Sequence, residues 1–395
     1  MLISEKNRKW WALAGLSVTS LVVYIDFAIV STALPSIQSS LKMGFVELQW
    51  VMNVFVLAVC IFMVSMGKLG DIYGNRLMLY IGSAAFGAAT LFAGLAPNGT
   101  LLIIFRAIEG LSVAMLTPAC LALISNTFSD KERGRAIGIW TSVTGIGLAA
   151  GPVLGGVVTS ALSWRWVFFV NIPVLIVGLF ICVLTIKEIR HEGMEKRIDW
   201  PGFFLMIIGI GFLITALIQG PEWGWGSLTT IIFFIIAAVS LVALYKVEKR
   251  VKAPILDFDL FINRGFLSGA LANFTIIAFG WAAFFLMPLY LGNIRGEGSL
   301  YIGFFLLPIT VLIILIAPIS GKIVDARGAK LPILIGIAAL AVSGLVQSTF
   351  GVSSAAYYIL FGFLFMGIGW GFIYGAGAFA AISSLPKELA GTATG

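Results

Sequence analysis

The chain has 395 residues, of which 60% are hydrophobic and only 11% charged, against about 25% charged in soluble proteins. That composition excludes a water-soluble globule, a disordered chain and a nucleic-acid-binding protein. The net charge of +7, from Lys+Arg 25 against Asp+Glu 18, calls for no polyanionic partner, because in a membrane protein the placement of basic residues matters more than their excess.

A spanning helix needs about 20 mostly apolar residues. Twelve such stretches follow in chain order: 11–33, 46–67, 77–96, 101–125, 136–160, 166–186, 200–219, 228–247, 266–292, 301–323, 331–350 and 355–383. The first follows the short polar segment Met1–Lys9. It is too long for a removed signal peptide and lacks the small-residue cleavage site, so it is expected to remain as a helix. With the N-terminus in the cytoplasm, 21 of the 25 Lys and Arg residues fall inside and three (Lys42, Arg165, Arg295) outside, while Arg106 lies within the fourth span. The positive-inside rule then fixes this orientation. Trp10, Trp11, Trp50, Trp164, Trp166, Trp200, Trp223 and Trp225 sit near span ends and read as interfacial anchors. Cys60, Cys120 and Cys182 all fall in apolar runs, which gives neither a metal spacing nor a disulfide framework. The single histidine, His191, sits among Glu188, Glu192 and Glu195 in a polar central loop. One histidine is too few for a zinc site or a His-based triad.

The segment Gly67-Lys-Leu-Gly-Asp71-Ile-Tyr-Gly74-Asn-Arg76 recurs 254 residues later as Gly321-Lys-Ile-Val-Asp325-Ala-Arg-Gly328-Ala-Lys330, and residues 129–138 match 385–395 at about the same offset. Spans one to six therefore repeat from span nine onward, and spans seven and eight (200–247) read as an inserted pair. The predicted architecture is an all-α polytopic membrane protein built of two six-helix repeats around a central helix pair. Its units are an N-terminal six-helix bundle over 1–190, a central loop and inserted pair over 191–262, and over 263–395 a C-terminal bundle holding the first four of six helices, making twelve spans of about fourteen. Two repeated halves flanking a central site are a known transporter plan.

At these residues the chain resembles the major facilitator superfamily. The 67–76 segment is similar to its motif A, and Ile104-Phe-Arg106-Ala-Ile-Glu109-Gly110 to motif B. Gly147-Leu-Ala-Ala-Gly151-Pro152-Val-Leu-Gly155-Gly156 resembles motif C, the mark of exporting branches. Asp26-Phe-Ala-Ile-Val-Ser-Thr-Ala-Leu-Pro35 and Trp164-Arg-Trp-Val-Phe-Phe-Val-Asn171-Ile-Pro173 resemble signatures of the fourteen-span drug:proton antiporter branch, which also carries the inserted pair. Ala28 and Glu109 depart from the usual Thr and Gln of those signatures. The resemblance implies alternating access, export of amphipathic and cationic compounds, and a proton gradient as the energy source with no cofactor. Its partners would be small-molecule substrates, protons and the lipid bilayer, with no nucleic acid. In some relatives a periplasmic adaptor protein joins them. The implied location is the plasma (inner) membrane of a bacterium.

Charges inside spans are costly and usually functional. Counted along their helices, Asp26 and Arg106 lie ~10 Å and ~8 Å below the outer surface, and Glu109 shares the Arg106 face at i+3. A carboxylate and a guanidinium at one depth, facing a shared cavity, could trade partners as protons come and go. A static pair that fixes helix packing is the alternative reading for Asp26 and Arg106, and a satisfied neighbour of Arg106 that for Glu109. The family assigns proton transfer to the motif B arginine and coupling or cation recognition to the first-span Asp. For motif A the expected roles are a turn in which Gly67 permits close approach, Gly74 takes a positive φ, and Asp71 meets a helix N-terminus or pairs with Arg76 or Arg135. The family reading is a conformational latch, a topology-setting charged turn being the alternative. The second copy, at Asp325 and Lys330, reads as the weaker one. Motif C reads as Gly-x-x-x-Gly packing followed by a kink at Pro152, forming in the family an interface between halves. Tyr24, Phe279, Trp281, Phe284, Trp370 and Tyr374 are deep enough to line a drug cavity. No Gly-x-Ser-x-Gly, His-Glu-x-x-His or Gly-x-x-x-x-Gly-Lys motif occurs, which argues against a hydrolase, a zinc enzyme and an ATP-driven pump. The close rival is a facilitator or symporter of the same fold for a small metabolite, and a more distant one a non-transport membrane protein.

Overall fold

Backbone groups in lipid must be satisfied within their own segment, which favours helices for apolar runs this long. In the computed structural model, which describes residues 5–187, 199–251, 254, 256, 258–296 and 299–385, every regular element among the described residues is helical. The first part comprises α1 (Glu5–Leu41), α2 (Phe45–Tyr73), α3 (Asn75–Leu95), α4 (Gly99–Thr127), α5 (Arg133–Ala161), the single turn α6 (Trp166–Phe169) and α7 (Asn171–Thr185). The pair α8 (Trp200–Trp223) and α9 (Leu228–Glu248) follows. The last part comprises α10 (Arg264–Thr275), α11 (Ala282–Leu289), α12 (Ser299–Arg327), α13 (Lys330–Gln347) and α14 (Ala356–Ser383). Among the described residues 11 helices are long and apolar enough to span a membrane. The predicted span 266–292 is helical as well, but π-helical turns at Ile276–Trp281 and Tyr290–Ile294 interrupt it.

Helix ends follow local chemistry. Side chains of Asn98, Asp199, Ser227 and Asn263 accept from the first free N–H groups of α4, α8, α9 and α10, the usual remedy for unpaired donors at a helix start. Gly74 (φ 109°) and Gly328 (φ 77°) end α2 and α12 at repeat-related positions, in a left-handed region that L side chains avoid. The motif A segment is thus helical through Tyr73, and the turn predicted there shrinks to Gly74.

One core cluster joins α1 to α5 and α7 and takes in Ile382 of α14, and another joins α10 to α14. Tyr374 and Phe379 of α14 pack against both. The inserted pair leans on α2, where Val64 meets Met206 and Leu244 and Phe62 meets Phe203. Its outward residues, such as Val239 and Val242, are exposed apolar surface. Lys9 with Glu132 and Arg8 with the Thr185 carbonyl mark the face holding the N-terminus, called here the N-terminal face. Arg165, capping the Gly94 and Ala96 carbonyls, marks the opposite one. Of the expected anchors, Trp11, Trp166, Trp200 and Trp225 are exposed, whereas Trp164 is buried beneath the Arg165 guanidinium. His191, the boundary at 190/191 and the repeat segment beyond Leu385 lie outside the described residues.

Candidate functional site

Three helices of the first bundle meet at one guanidinium, and a fourth joins them through Asp26. Gly110 lets α4 approach α2 so closely that an added Cβ would strike the Phe55 carbonyl. Arg106 thereby reaches α2, where its Nε donates to the Val51 carbonyl (3.2 Å) and its guanidinium lies 4.3 Å from the Phe55 ring centroid. Its Nη1 donates both to Asp26 Oδ2 on α1 (2.6 Å) and to Glu109 Oε2 one turn on (2.6 Å). Asn171, the first residue of α7, donates from Nδ2 to Asp26 Oδ1 (3.0 Å). Asp26, Arg106 and Glu109 are all 0% exposed.

The three charged residues chosen from sequence therefore meet, at one depth as the residue count required. They do not face an open cavity as expected, because α1, α2, α4 and α7 enclose them. The cluster is also short of charge and of bonds. One guanidinium faces two carboxylates, a formal −1 when both are ionised. Arg106 Nη2, Glu109 Oε1 and Asn171 Oδ1 have no hydrogen-bond partner among the described protein atoms.

Toward the N-terminal face the two halves touch. Asp325 in the last turns of α12 accepts from the Gly134 N–H at Oδ1 (2.7 Å) and from the Arg135 N–H at Oδ2 (2.9 Å). These N–H groups open α5 and have no intrahelical partner, so a carboxylate there also meets the positive end of the helix dipole. The repeat-related copy, Asp325, thus makes across the halves the helix N-terminus contact expected of Asp71: the end of α12 lies against the start of α5. In the first copy, Asp71 accepts from the Asn75 amide (3.5 Å), Arg76 donates to the Tyr80 hydroxyl (2.8 Å), and Gly67 is buried. Arg135 lays its guanidinium over Trp10. Deeper, the hydroxyls of Tyr24 and Tyr374 lie 2.8 Å apart across the halves, and Trp140 stacks on Tyr374. Trp370 is buried. The Trp281, Phe284 and Pro152 side chains lie outside the described part of the structure, though the backbone stays helical through 152.

The motif C glycines do not form the interface between halves. A Cβ on Gly147 would stand 2.7 Å from the Leu21 carbonyl, and Gly151 and Gly155 press on Ala28 and on Ile29 and Thr32 of α1. Gly156 faces open space. The cross-half contact belongs to an earlier stripe on the same helix. A Cβ on Gly138 would meet the Ala317 carbonyl at 2.5 Å, Gly134 packs on Gly321, Gly145 faces Ile313, and Ser142 donates to the Ile314 carbonyl (3.0 Å). The spacing 134, 138, 142, 145 puts these small residues on one helix face. That signal was present in the sequence, overshadowed by motif C. Asn171 was quoted only as part of a signature, since nothing in a linear reading links it to Asp26.

The chain matches the family described as Major Facilitator Superfamily over residues 16–395. It is 31% identical over 391 residues to the "Tetracenomycin C resistance and export protein" of Streptomyces glaucescens, covering 99% of this chain and 72% of that one. It is 34% identical over 378 residues to the "Multidrug resistance protein Stp" of Mycobacterium tuberculosis (strain CDC 1551 / Oshkosh), covering 95% and 70%. Among solved structures, the proton:xylose symporter XylE bound to 6-bromo-6-deoxy-D-glucose superposes with a TM-score of 0.67 over 99% of this chain and 85% of that one. At 14% identity that likeness speaks for the fold alone.

Proposed function

Because the chain belongs to the major facilitator superfamily, and so is a transporter rather than an enzyme, we propose that it is a proton-coupled efflux antiporter of the fourteen-span drug-exporting branch. It exports amphipathic, chiefly cationic compounds by alternating access across a bacterial plasma membrane, with its N-terminal face in the cytoplasm. The resistance and export proteins among its relatives support efflux, and the inserted pair α8–α9 supports the branch.

One observation carries the coupling: a single Arg106 nitrogen shared by two carboxylates at zero exposure. An uncompensated charge in a low-dielectric interior is expensive. One proton neutralises the cluster, and so does one positive charge brought by a substrate. Two ligands that relieve the same deficit compete, and competition between proton and cation is what antiport requires. A proton on either carboxylate also frees Arg106 Nη1 from one of its two partners. The enclosing helices must part before a bulky cation arrives, so access depends on the state of the two halves. In the state seen here the halves are joined toward the N-terminal face by Asp325 with the start of α5 and by Ser142 with Ile314, and deeper in the molecule by Tyr24 with Tyr374. The opposite state requires all three to break.

The test uses everted membrane vesicles with an imposed pH gradient, a pH-sensitive dye and a panel of lipophilic cations, with Asp26→Asn and Arg106→Ala in parallel. Substrate-dependent gradient collapse that both substitutions abolish supports antiport through this cluster. Collapse that survives them removes the cluster from the mechanism. No collapse with any cation, despite confirmed insertion, overturns proton antiport in favour of facilitated flux.

A further inference from the structure

The antiport reading assigns roles to Asp26, Arg106 and Glu109 and leaves Asn171 unexplained. Asn171 is 1% exposed. Its Nδ2 points at two acceptors, Asp26 Oδ1 (3.0 Å) and the Val167 carbonyl (3.4 Å), so chemistry fixes which way the amide faces while Asp26 is ionised. Its Oδ1 is buried with no partner. An unpaired buried amide oxygen costs free energy. One that lies one bond from a group whose protonation is to change has a use.

A carboxylate only accepts hydrogen bonds, whereas a carboxylic acid must also donate one. Of the charged groups facing Asp26, Arg106 has no acceptor, and Glu109, held on the same guanidinium nitrogen through Oε2, keeps a free Oε1 but makes no hydrogen bond to Asp26 in this structure. On α2, the Val51 carbonyl accepts from Arg106 and the Phe55 ring lies under its guanidinium. The Thr90 hydroxyl of α3 is buried and makes no hydrogen bond to Asp26. Among the described residues, only Asn171 both hydrogen-bonds Asp26 and holds a free acceptor. We propose that Asn171 is a two-state positioning residue for the coupling carboxyl. It donates from Nδ2 to ionised Asp26 and, after a half-turn of its amide, accepts at Oδ1 from protonated Asp26. The proton comes from water and ends on an Asp26 oxygen. No other bond is made or broken except hydrogen bonds, and the 3.4 Å contact to Val167 is given up. The torsion that turns an amide is broad and roughly two-fold, which makes such an exchange cheap. Held in both states, Asp26 stays at its place on α1 when Arg106 lets go.

This inference rests on the antiport reading, and the test separates the two. The full chain is reconstituted in proteoliposomes with ethidium as the probe cation, and flux is measured with and without a pH gradient over about pH 5.5 to 8.5. Asn171→Leu fills a similar volume but neither donates nor accepts. Asn171→Ser keeps one donor and one acceptor. The expected result is a turnover of Asn171→Leu reduced about tenfold at a KM for ethidium within about twofold of the wild type, with its pH profile displaced, and partial recovery of turnover and profile in Asn171→Ser. On an Asp26→Asn background, Asn171→Leu should add nothing, as for two residues acting through one contact. A packing role predicts instead that Asn171→Leu resembles the wild type and Asn171→Ser does worse. That result, or an undisplaced pH profile in Asn171→Leu, overturns the inference while antiport stands. If Asn171→Leu fails to insert, the Asn171→Ser profile decides by the same criterion. A wild type whose ethidium flux ignores the pH gradient overturns antiport and this inference together.

Discussion

At the residue scale the decisive fact is an imbalance. Breaking a buried pair by removing one partner costs about 3–5 kcal/mol, because it strands a charge, whereas replacing every member by neutral groups of similar volume can be nearly neutral. Arg106→Met should therefore destabilise the folded chain by about 3 kcal/mol or more, and the triple substitution Asp26→Asn, Arg106→Met, Glu109→Gln should recover most of that loss. Thermal unfolding in detergent measures both, and equal stability of the two variants would refute the imbalance. The cluster itself was legible in part. Charges within apolar spans stand out, and residue counts put Asp26 and Arg106 at one depth. The Asn171 contact was not legible, since it depends on how α7 is rotated against α1.

At the element scale α5 works on two sides. Its later glycines, Gly147, Gly151 and Gly155, seat it against α1 within one bundle, while Gly134, Gly138, Ser142 and Gly145 seat it against α12 of the other half. In the proposed alternating-access cycle the first contact persists and the second breaks. Gly151→Leu should therefore abolish folded, inserted protein, whereas Gly138→Leu should insert normally and lose transport about tenfold or more, because closure on the N-terminal face meets the Ala317 backbone. Quantifying protein in the membrane alongside flux distinguishes the two, and equal loss of insertion would refute the division. Motif resemblance located the helix correctly and attached the interface to the wrong stripe on it. Which partner a glycine face meets is set by packing, not by spacing.

At the scale of the whole molecule the closed face is held by a few bonds of modest strength. A neutral hydrogen bond contributes about 0.5–1.5 kcal/mol net, so Tyr24→Phe should shift the balance between states roughly two- to tenfold toward the one open on the N-terminal face. Alkylation rates of a cysteine replacing Ser142 of α5, which is of similar size and lies in the same interface, would report the shift when measured with and without Tyr24→Phe, and an unchanged rate would exclude the hydroxyl pair from the closure. The Lys9–Glu132 pair on the same face is not a proton sensor. Its hydrogen bond from Lys9 holds the Glu132 carboxyl below its ordinary value of 4.5. A depressed folded pKa contributes stability above the unfolded value, lost only as pH falls through the folded one. Wild type and Glu132→Gln should thus differ by a constant amount between about pH 5.5 and 8 and converge only in stronger acid, as read by melting temperature. Any pH dependence of transport in the neutral range then has to originate elsewhere, and the buried cluster is the structural candidate.

Apolar run length determined the all-helical architecture, because lipid leaves the backbone no other partner. Basic-residue placement, the 254-residue repeat and the inserted pair were read from the chain alone, as were the three charges that stand out within apolar spans. Tertiary structure decided the rest. It enclosed the cluster among four helices, put Asn171 on Asp26, gave the helix-capping role to Asp325 and moved the cross-half interface to an earlier stripe of α5. Each of these depends on the rotation and offset of one helix against another. Those are set by the sum of many side-chain contacts from distant parts of the chain, and no local pattern records them.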